Sequence, residues 1–217
     1  MNGLAVAVEL AEVTKKYGNL RALNSVSTKI YEGEYVALLG HNGAGKTTLL
    51  KILATHSSPS SGTVSIFGIN AFKAPDETRR RIGYVAHESF LYDEMTVEEN
   101  LRFYAKLFSV NWKKSYDLVE FLKLRNRSKT RVKHLSHGLR KRADIVRALI
   151  HNPDLILMDE LFSGLDSETC SLLVDHFKNQ KGKTILVSSH SKYWAKQLAT
   201  RGIILRRGQI QQDIQLG

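Results

Sequence analysis

Tyr35-Val36-Ala37-Leu38-Leu39 runs without a break into Gly40-His41-Asn42-Gly43-Ala44-Gly45-Lys46-Thr47. The apolar run is too short and too uniform for a surface element, so it predicts a buried strand. The next eight residues fit G-x-x-x-x-G-K-[ST], and Lys46 to Thr55 continues at helical spacing. Strand, glycine loop and helix follow one another in the order this motif requires. The glycines let successive backbone N–H groups turn inward around phosphate oxygens, and the helix behind them offers its positive end. Lys46 reaches the β- and γ-phosphates of a bound nucleotide, and the Thr47 hydroxyl is placed to ligate Mg²⁺.

Upstream of this unit, Val6 to Val13 and Ala22 to Ile30 alternate apolar and polar residues. They predict two strands, antiparallel and separated by a loop at Lys15-Lys16-Tyr17-Gly18-Asn19. Downstream, the turn-rich stretch Ser57-Ser58-Pro59-Ser60-Ser61-Gly62 leads to strands Thr63 to Phe67 and Ile82 to Ala86. Thr96 to Val132 changes character, with apolar residues at helical spacing, and reads as an all-helical insert. A helix from Ser136 to about Ile150, strand Leu155 to Met158, helix Glu168 to Phe177, strand Thr184 to Ser188 and a closing pair around Gly202 to Gln212 complete the chain. Strands alternating with helices argue a mainly parallel α/β sheet.

Three further stretches carry chemistry. Leu155-Ile156-Leu157-Met158 ends in Asp159-Glu160, which puts two carboxylates where a parallel strand's C-terminal end faces the phosphate loop. Asp159 would hold Mg²⁺ and Glu160 would polarise an attacking water; without a phosphate loop the same pair would read as a strand-end ornament of a turn. His190 stands just beyond strand Thr184 to Ser188, an ordinary polar cap in isolation and a γ-phosphate contact beside the other motifs. Leu135-Ser136-His137-Gly138-Leu139 gives a serine N-cap opening a helix. Such a start is equally an anion site, and the local sequence does not choose.

The 217 residues carry 42% apolar and 24% charged side chains, ordinary for a chain with one sizeable core and wrong for a disordered one. Lys+Arg 32 against Asp+Glu 21 gives +11, which favours acidic partners without choosing among nucleotide, nucleic acid and lipid headgroups. The single cysteine, Cys170, forms no intrachain disulfide and reads as a small core residue; Trp112 and Trp194 read as packing aromatics. No Cys/His cluster has zinc-ligand spacing, and a reducing compartment is expected. Neither a signal peptide around Met1 to Glu12 nor a spanning helix is predicted. The series Arg125, Arg127, Lys129, Arg131, Lys133 reads as a solvated face.

Taken in order, the phosphate loop, His87, Leu135-Ser136-x-Gly138, Asp159-Glu160, Ser163-Gly164-Leu165-Asp166 and His190 resemble the ATP-binding subunit of an ABC transporter. The resemblance covers about Val6 to Gln212. It implies a P-loop ABC ATPase cassette over residues 1–217, with a mainly parallel core sheet, an N-terminal antiparallel β subdomain and a helical subdomain at about 88–135. On the family's pattern two cassettes dimerise head to tail and clamp ATP between one phosphate loop and the other's signature. Tyr17 would stack on adenine, and Gly40, His41, Asn42, Gly43, Ala44, Gly45, Lys46, Thr47 and Thr48 would hold the phosphates. Ser136 and Gly138 would touch the partner's γ-phosphate, and Asp166 would lie in the loop coupling the sites. Glu160 would be the catalytic base, with Lys46, His87 and His190 beside it, and Thr47, Asp159 and His87 would surround Mg²⁺.

The sequence departs from that pattern at His137 and Leu139, where glycine and glutamine are usual, at Leu161 for proline, and at His87 for the loop glutamine. His87 together with Glu99-Asn100-Leu101-Arg102-Phe103-Tyr104 is similar to the haem-exporter ATPases of cytochrome c maturation, although ABC-2-type exporters share much of it. The expected partners are therefore a polytopic membrane subunit and a second ATP-binding subunit, on the cytoplasmic face of the cell membrane. Soluble ABC ATPases acting on nucleic acid or ribosomes carry fused second cassettes, coiled coils or zinc insertions that this chain lacks, so nucleic acid is not expected.

Overall fold

The computed structural model describes residues 5–216, so the outermost residues of the expected 1–217 domain, 1–4 and 217, lie outside the described residues. Strand β1 (Val6–Tyr17) pairs antiparallel with β2 (Leu20–Tyr31). Lys15, Lys16 and Tyr17, expected in a loop, extend β1 instead: Lys16 pairs with Arg21 and Tyr17 with Leu20 across a two-residue turn at Gly18-Asn19. Their charge and aromatic bulk suit the exposed end of a hairpin strand as well as a turn. After β3 (Tyr35–Leu39) and helix α1 (Lys46–Leu53), β4 (Ser61–Ile66) pairs with β1 and the short β5 (Ile69–Asn70) pairs with β4. The four-stranded antiparallel sheet has the order β2-β1-β4-β5.

A short helix, α2 (Pro75–Arg80), precedes β6 (Ile82–Val85), and then comes the helical section. It contains α3 (Val97–Leu107) and α4 (Tyr116–Phe121) joined by 3₁₀ turns. Thr96 opens α3 through a capping box with Glu99, each side chain satisfying the other's backbone N–H. Helix α5 (His137–Leu149), β7 (Leu155–Met158), α6 (Ser167–Lys178), β8 (Thr184–Ser188), α7 (Lys192–Leu198), β9 (Arg201–Arg206) and β10 (Gln209–Gln215) complete the fold.

The core sheet has the order β10-β9-β3-β8-β7-β6; only the β10–β9 pairing is antiparallel, as the alternating pattern implied. Period-2 alternation divides each strand between two apolar clusters. Val36, Leu38, Leu155, Leu157 and Leu186 pack with α1 and the antiparallel sheet, while Ala37, Ile156, Met158, Ile185 and Val187 pack with α5, α6 and the helical section. Because β3, β6, β7 and β8 are parallel, Gly40, His87, Glu160 and His190 all emerge at the same edge of the sheet.

Candidate functional site

The loop after β3 uses its glycines for definite reasons. Gly40, Gly43 and Gly45 have φ of 148°, 74° and 109°, in the left-handed half of backbone space. A Cβ on Gly45 would also stand 2.8 Å from the Ala22 carbonyl oxygen and from Leu23 Cδ2. The loop therefore lies tight against β2. The Lys46 side chain is buried and its ammonium donates to the carbonyls of Gly40 (2.8 Å) and His41 (3.2 Å), closing the loop around its own cation.

A cleft of about 550 Å³ opens over this loop. Asn42 to Thr48 form its floor, Tyr17, Leu20, Arg21 and Arg207 line the side toward β2, and His87, Glu160 and His190 line the side at the ends of β6, β7 and β8. Tyr17 is exposed, with the Lys15 ammonium 5.0 Å from its ring centroid. Arg21 and Arg207 add two cations that sequence reasoning did not single out; Arg207 sits in the β9–β10 turn at φ 50°, and nothing in its local pattern marks it.

Glu160 occupies a left-handed backbone conformation, φ 52°, which costs a non-glycine residue about 1–2 kcal/mol. Two hydrogen bonds and one close side-chain approach hold it. Its N–H donates to Ser188 Oγ at 2.9 Å, and its carboxylate accepts from the His190 amide at 3.2 Å and lies 3.1 Å from His190 Nε2. Ser188 Oγ in turn donates to Asp159 Oδ1 at 2.7 Å. Ser188 thus orients both acidic residues, a part that sequence reasoning assigned to no residue of β8.

Asp159 is fully buried, and its second oxygen, Oδ2, has no hydrogen-bond partner. A desolvated carboxylate oxygen without a donor suits a hard cation, and Mg²⁺ is commonly held by one or two protein oxygens with phosphates and waters completing its shell. The Thr47 hydroxyl and Asp159 fit that donor set. Among the described residues no group of three or more His, Cys, Asp or Glu forms a metal cluster of its own. His87 is exposed on the cleft wall.

Ser136 and Gly138 are not on this cleft. Ser136 caps α5, accepting from the Leu139 N–H at 3.3 Å, on an exposed surface. His137 packs its imidazole directly on Gly164, and Leu139 tucks against the core. Leu161, in place of the usual proline, is fully buried and anchors the turn after Glu160. Asp166 caps α6: the Thr169 N–H and hydroxyl donate to it and Arg142 pairs with it, pulling its pKa down to about 2.

Behind the site lies a group of buried charges on α5 that the sequence reading did not single out. Lys141, Asp144 and Arg147 of α5 are at most 8% exposed. Arg147 donates to Asp144 Oδ1 at 2.8 and 3.0 Å and to the Tyr84 carbonyl at 2.7 Å. Burial pushes the Lys141 ammonium below its usual pKa and the Tyr84 hydroxyl above its own. Cys170, Trp112 and Trp194 pack as expected, and Arg125, Arg131 and Lys133 pair with Glu120 and Glu94 on the surface.

A family profile described as ABC transporter matches residues 23–163. The chain is 37% identical over 198 residues to the ABC transporter ATP-binding protein NatA of Bacillus subtilis (strain 168), covering 88% of this chain and 80% of that protein. It is 35% identical over 209 residues to the Nod factor export ATP-binding protein I of Mesorhizobium japonicum, covering 94% of this chain and 62% of that one. The chain thus spans about three-fifths of the Nod factor proteins' length. Among solved structures, an ATP-binding subunit of an ABC transporter superposes with a TM-score of 0.90 at 30% identity, over 97% of this chain and 90% of that one. A dimeric ATP-binding cassette in a post-hydrolysis state with ADP and Pi gives 0.87 at 31% identity, over 97% and 99%. With the phosphate loop, the Asp159-Glu160 strand end and His190 converging on one cleft, and with this profile and these relatives, the chain belongs to the ABC transporter family.

Proposed function

We propose that the chain is the ATP-binding and ATP-hydrolysing subunit of an ABC exporter, pairing head to tail with a second ATP-binding subunit and driving transport through separate polytopic membrane subunits. The observation that carries this reading is the split of the motifs. Phosphate loop, Glu160 and His190 share one cleft, while Ser136 and Gly138 stand outside it, so each chain offers one half of a nucleotide site on each of two surfaces.

In the proposed mechanism the loop N–H groups and Lys46 bind the phosphates, Tyr17 stacks on adenine, and Arg21 and Arg207 add charge at the rim. Mg²⁺, when bound, neutralises phosphate charge, and Thr47, Asp159 and His87 are the residues that would hold it or its waters. Glu160 takes the proton of the attacking water, and His190 orients the Glu160 carboxylate and contacts the γ-phosphate. Ser136 and Gly138 close on the partner's γ-phosphate, and the Asp166 loop adjoins that contact through Arg142. The whole chain, 1–217, acts as a single cassette with the helical subdomain at about 88–135.

Haem export rests on His87 and the Glu99 to Tyr104 run alone. The relatives named for Nod factor export favour an exporter of another substrate as the second reading. No helix among the described residues is long and apolar enough to cross a membrane, so on this proposal membrane association on the cytoplasmic face comes through the partner. The helical section supplies the surface. Phe90 stacks on His56 at 4.8 Å and Leu91 is buried, so these two pack the chain's own interior. Tyr92 is exposed and meets Phe103 edge-on at 5.2 Å, with Leu107 one turn further along α3, also exposed. Co-purification with a polytopic membrane protein tests the proposal, and recovery with RNA or DNA instead would overturn it. Replacing Tyr92 and Phe103 together by serine should abolish that co-purification while leaving basal ATPase activity unchanged.

A further inference from the structure

Lys141 is 7% exposed, an unusual place for an ammonium, and its Nζ donates to the carbonyls of Ala86 (3.1 Å) and Asp159 (3.2 Å). These two carbonyls lie where the parallel ladder between β6 and β7 ends. The last residue pair is Val85 with Met158, and the final bond runs from the Asp159 N–H to the Val85 carbonyl at 2.8 Å. Beyond that point both carbonyls need a donor from elsewhere, and the ammonium provides it.

The next residue after each carbonyl belongs to the site: His87 follows Ala86 and Glu160 follows Asp159. We propose that Lys141 is a positioning residue for hydrolysis, one cation that fastens the helix carrying Ser136 and Gly138 to both strand ends carrying His87 and Glu160. The inference rests on the ATPase reading above and deepens it.

Three observations support it. Arg147 is taken up by Asp144 Oδ1 and the Tyr84 carbonyl, so Lys141 is the buried cation of α5 whose donors reach the two strand-end carbonyls. Helix α5 rides close on β6, since a Cβ on Gly83 would stand 2.6 Å from the Ala148 carbonyl oxygen, so helix and strand are in tight backbone contact. Lys141 also lies one turn from the start of α5, so displacement of the Ser136 end reaches both carbonyls through one side chain. The left-handed Glu160 depends on the peptide that Lys141 holds, and small misplacements of a reacting group cost large factors in rate.

The test compares wild type, Lys141→Met, Lys141→Arg and Glu160→Gln for ATPase kcat and KM and for the Kd of a non-hydrolysable ATP analogue. Lys141→Met, similar in length but without a donor, should lower kcat at least tenfold with the analogue Kd within twofold of wild type, because the phosphate loop does not touch Lys141. Lys141→Arg should recover at least a third of kcat, which a merely structural role would not predict. A Lys141→Met kcat within twofold of wild type overturns the inference, as does a parallel loss of kcat and analogue affinity. If Lys141→Met does not fold, Lys141→Gln is judged by the same criteria, and failure of both to fold assigns the residue to stability alone. Absent wild-type turnover, or full turnover in Glu160→Gln, would instead strike the parent ATPase reading.

Discussion

His190 and Glu160 are in contact: imidazole Nε2 lies 3.1 Å from Oε1 and the His190 amide donates to Oε2 at 3.2 Å. Thirty residues apart, they are joined because β7 and β8 are adjacent and end at the same level. One residue therefore engages both oxygens of the carboxylate proposed as base, and holds it over the phosphate loop.

Glu160→Gln should keep nucleotide binding, since the amide oxygen still accepts from the His190 N–H, but lose proton acceptance. Turnover should fall about 10²–10⁴-fold. With ATP present the variant should elute as a dimer on size-exclusion chromatography; wild-type turnover would place the base elsewhere.

Lys46→Ala removes a phosphate contact and the two bonds that close the loop on Gly40 and His41. In wild type, ligand at one hundred times its Kd adds about 2.7 kcal/mol of stability, a rise of about 5–10 °C in Tm for a domain of this size. Differential scanning fluorimetry with Mg·ATP should show that rise in wild type and none in Lys46→Ala.

Ser188→Ala should act on both acidic residues. Buried Asp159 would lose its one side-chain donor and the Glu160 N–H its acceptor, at a cost of about 1–3 kcal/mol. Chemical denaturation measures the loss, and kcat should fall as well because the strained Glu160 backbone is released.

His151 makes stability sensitive to acid. Its ring stacks on Phe108, centroids 3.8 Å apart, and Nε2 donates to the Ile82 carbonyl at 3.0 Å. Burial lowers its pKa from 6.5 to about 4, so the folded state binds fewer protons than the unfolded one in between. This contribution is complete above about pH 6.5 and is lost as pH falls toward 4, about 3 kcal/mol in all. Burial shifts His56 and His176 the same way. His151→Gln, which can keep the donor to Ile82, should flatten part of the fall in Tm between pH 7 and 5.

Buried strands were the most legible elements. Tyr35–Leu39, Leu155–Met158 and Thr184–Ser188 have the bounds their apolar runs imply, because each is sealed on both faces and stops where glycine, carboxylate or serine begins. The short polar helices α2 and α7 carry no apolar period long enough to announce them. On α5 the apolar residues Ala143, Val146 and Ala148 are buried as their spacing requires, yet Lys141, Asp144 and Arg147 are buried with them. A charged residue looks the same in sequence whether water or a strand end satisfies it. Only the three-dimensional approach of α5 to β6 and β7 distinguishes the two, and the same approach is invisible for Ser188, Arg21 and Arg207.

The imidazole of His137 lies where a side chain on Gly164 would have to go, and Gly164 itself has φ 74°. Substitutions at these two positions are consequently coupled. Alanine at Gly164 meets both an imidazole and a disfavoured backbone while histidine stands at 137, but only the backbone penalty once 137 has become glycine. The pair should be epistatic, its double substitution milder than the sum of the singles.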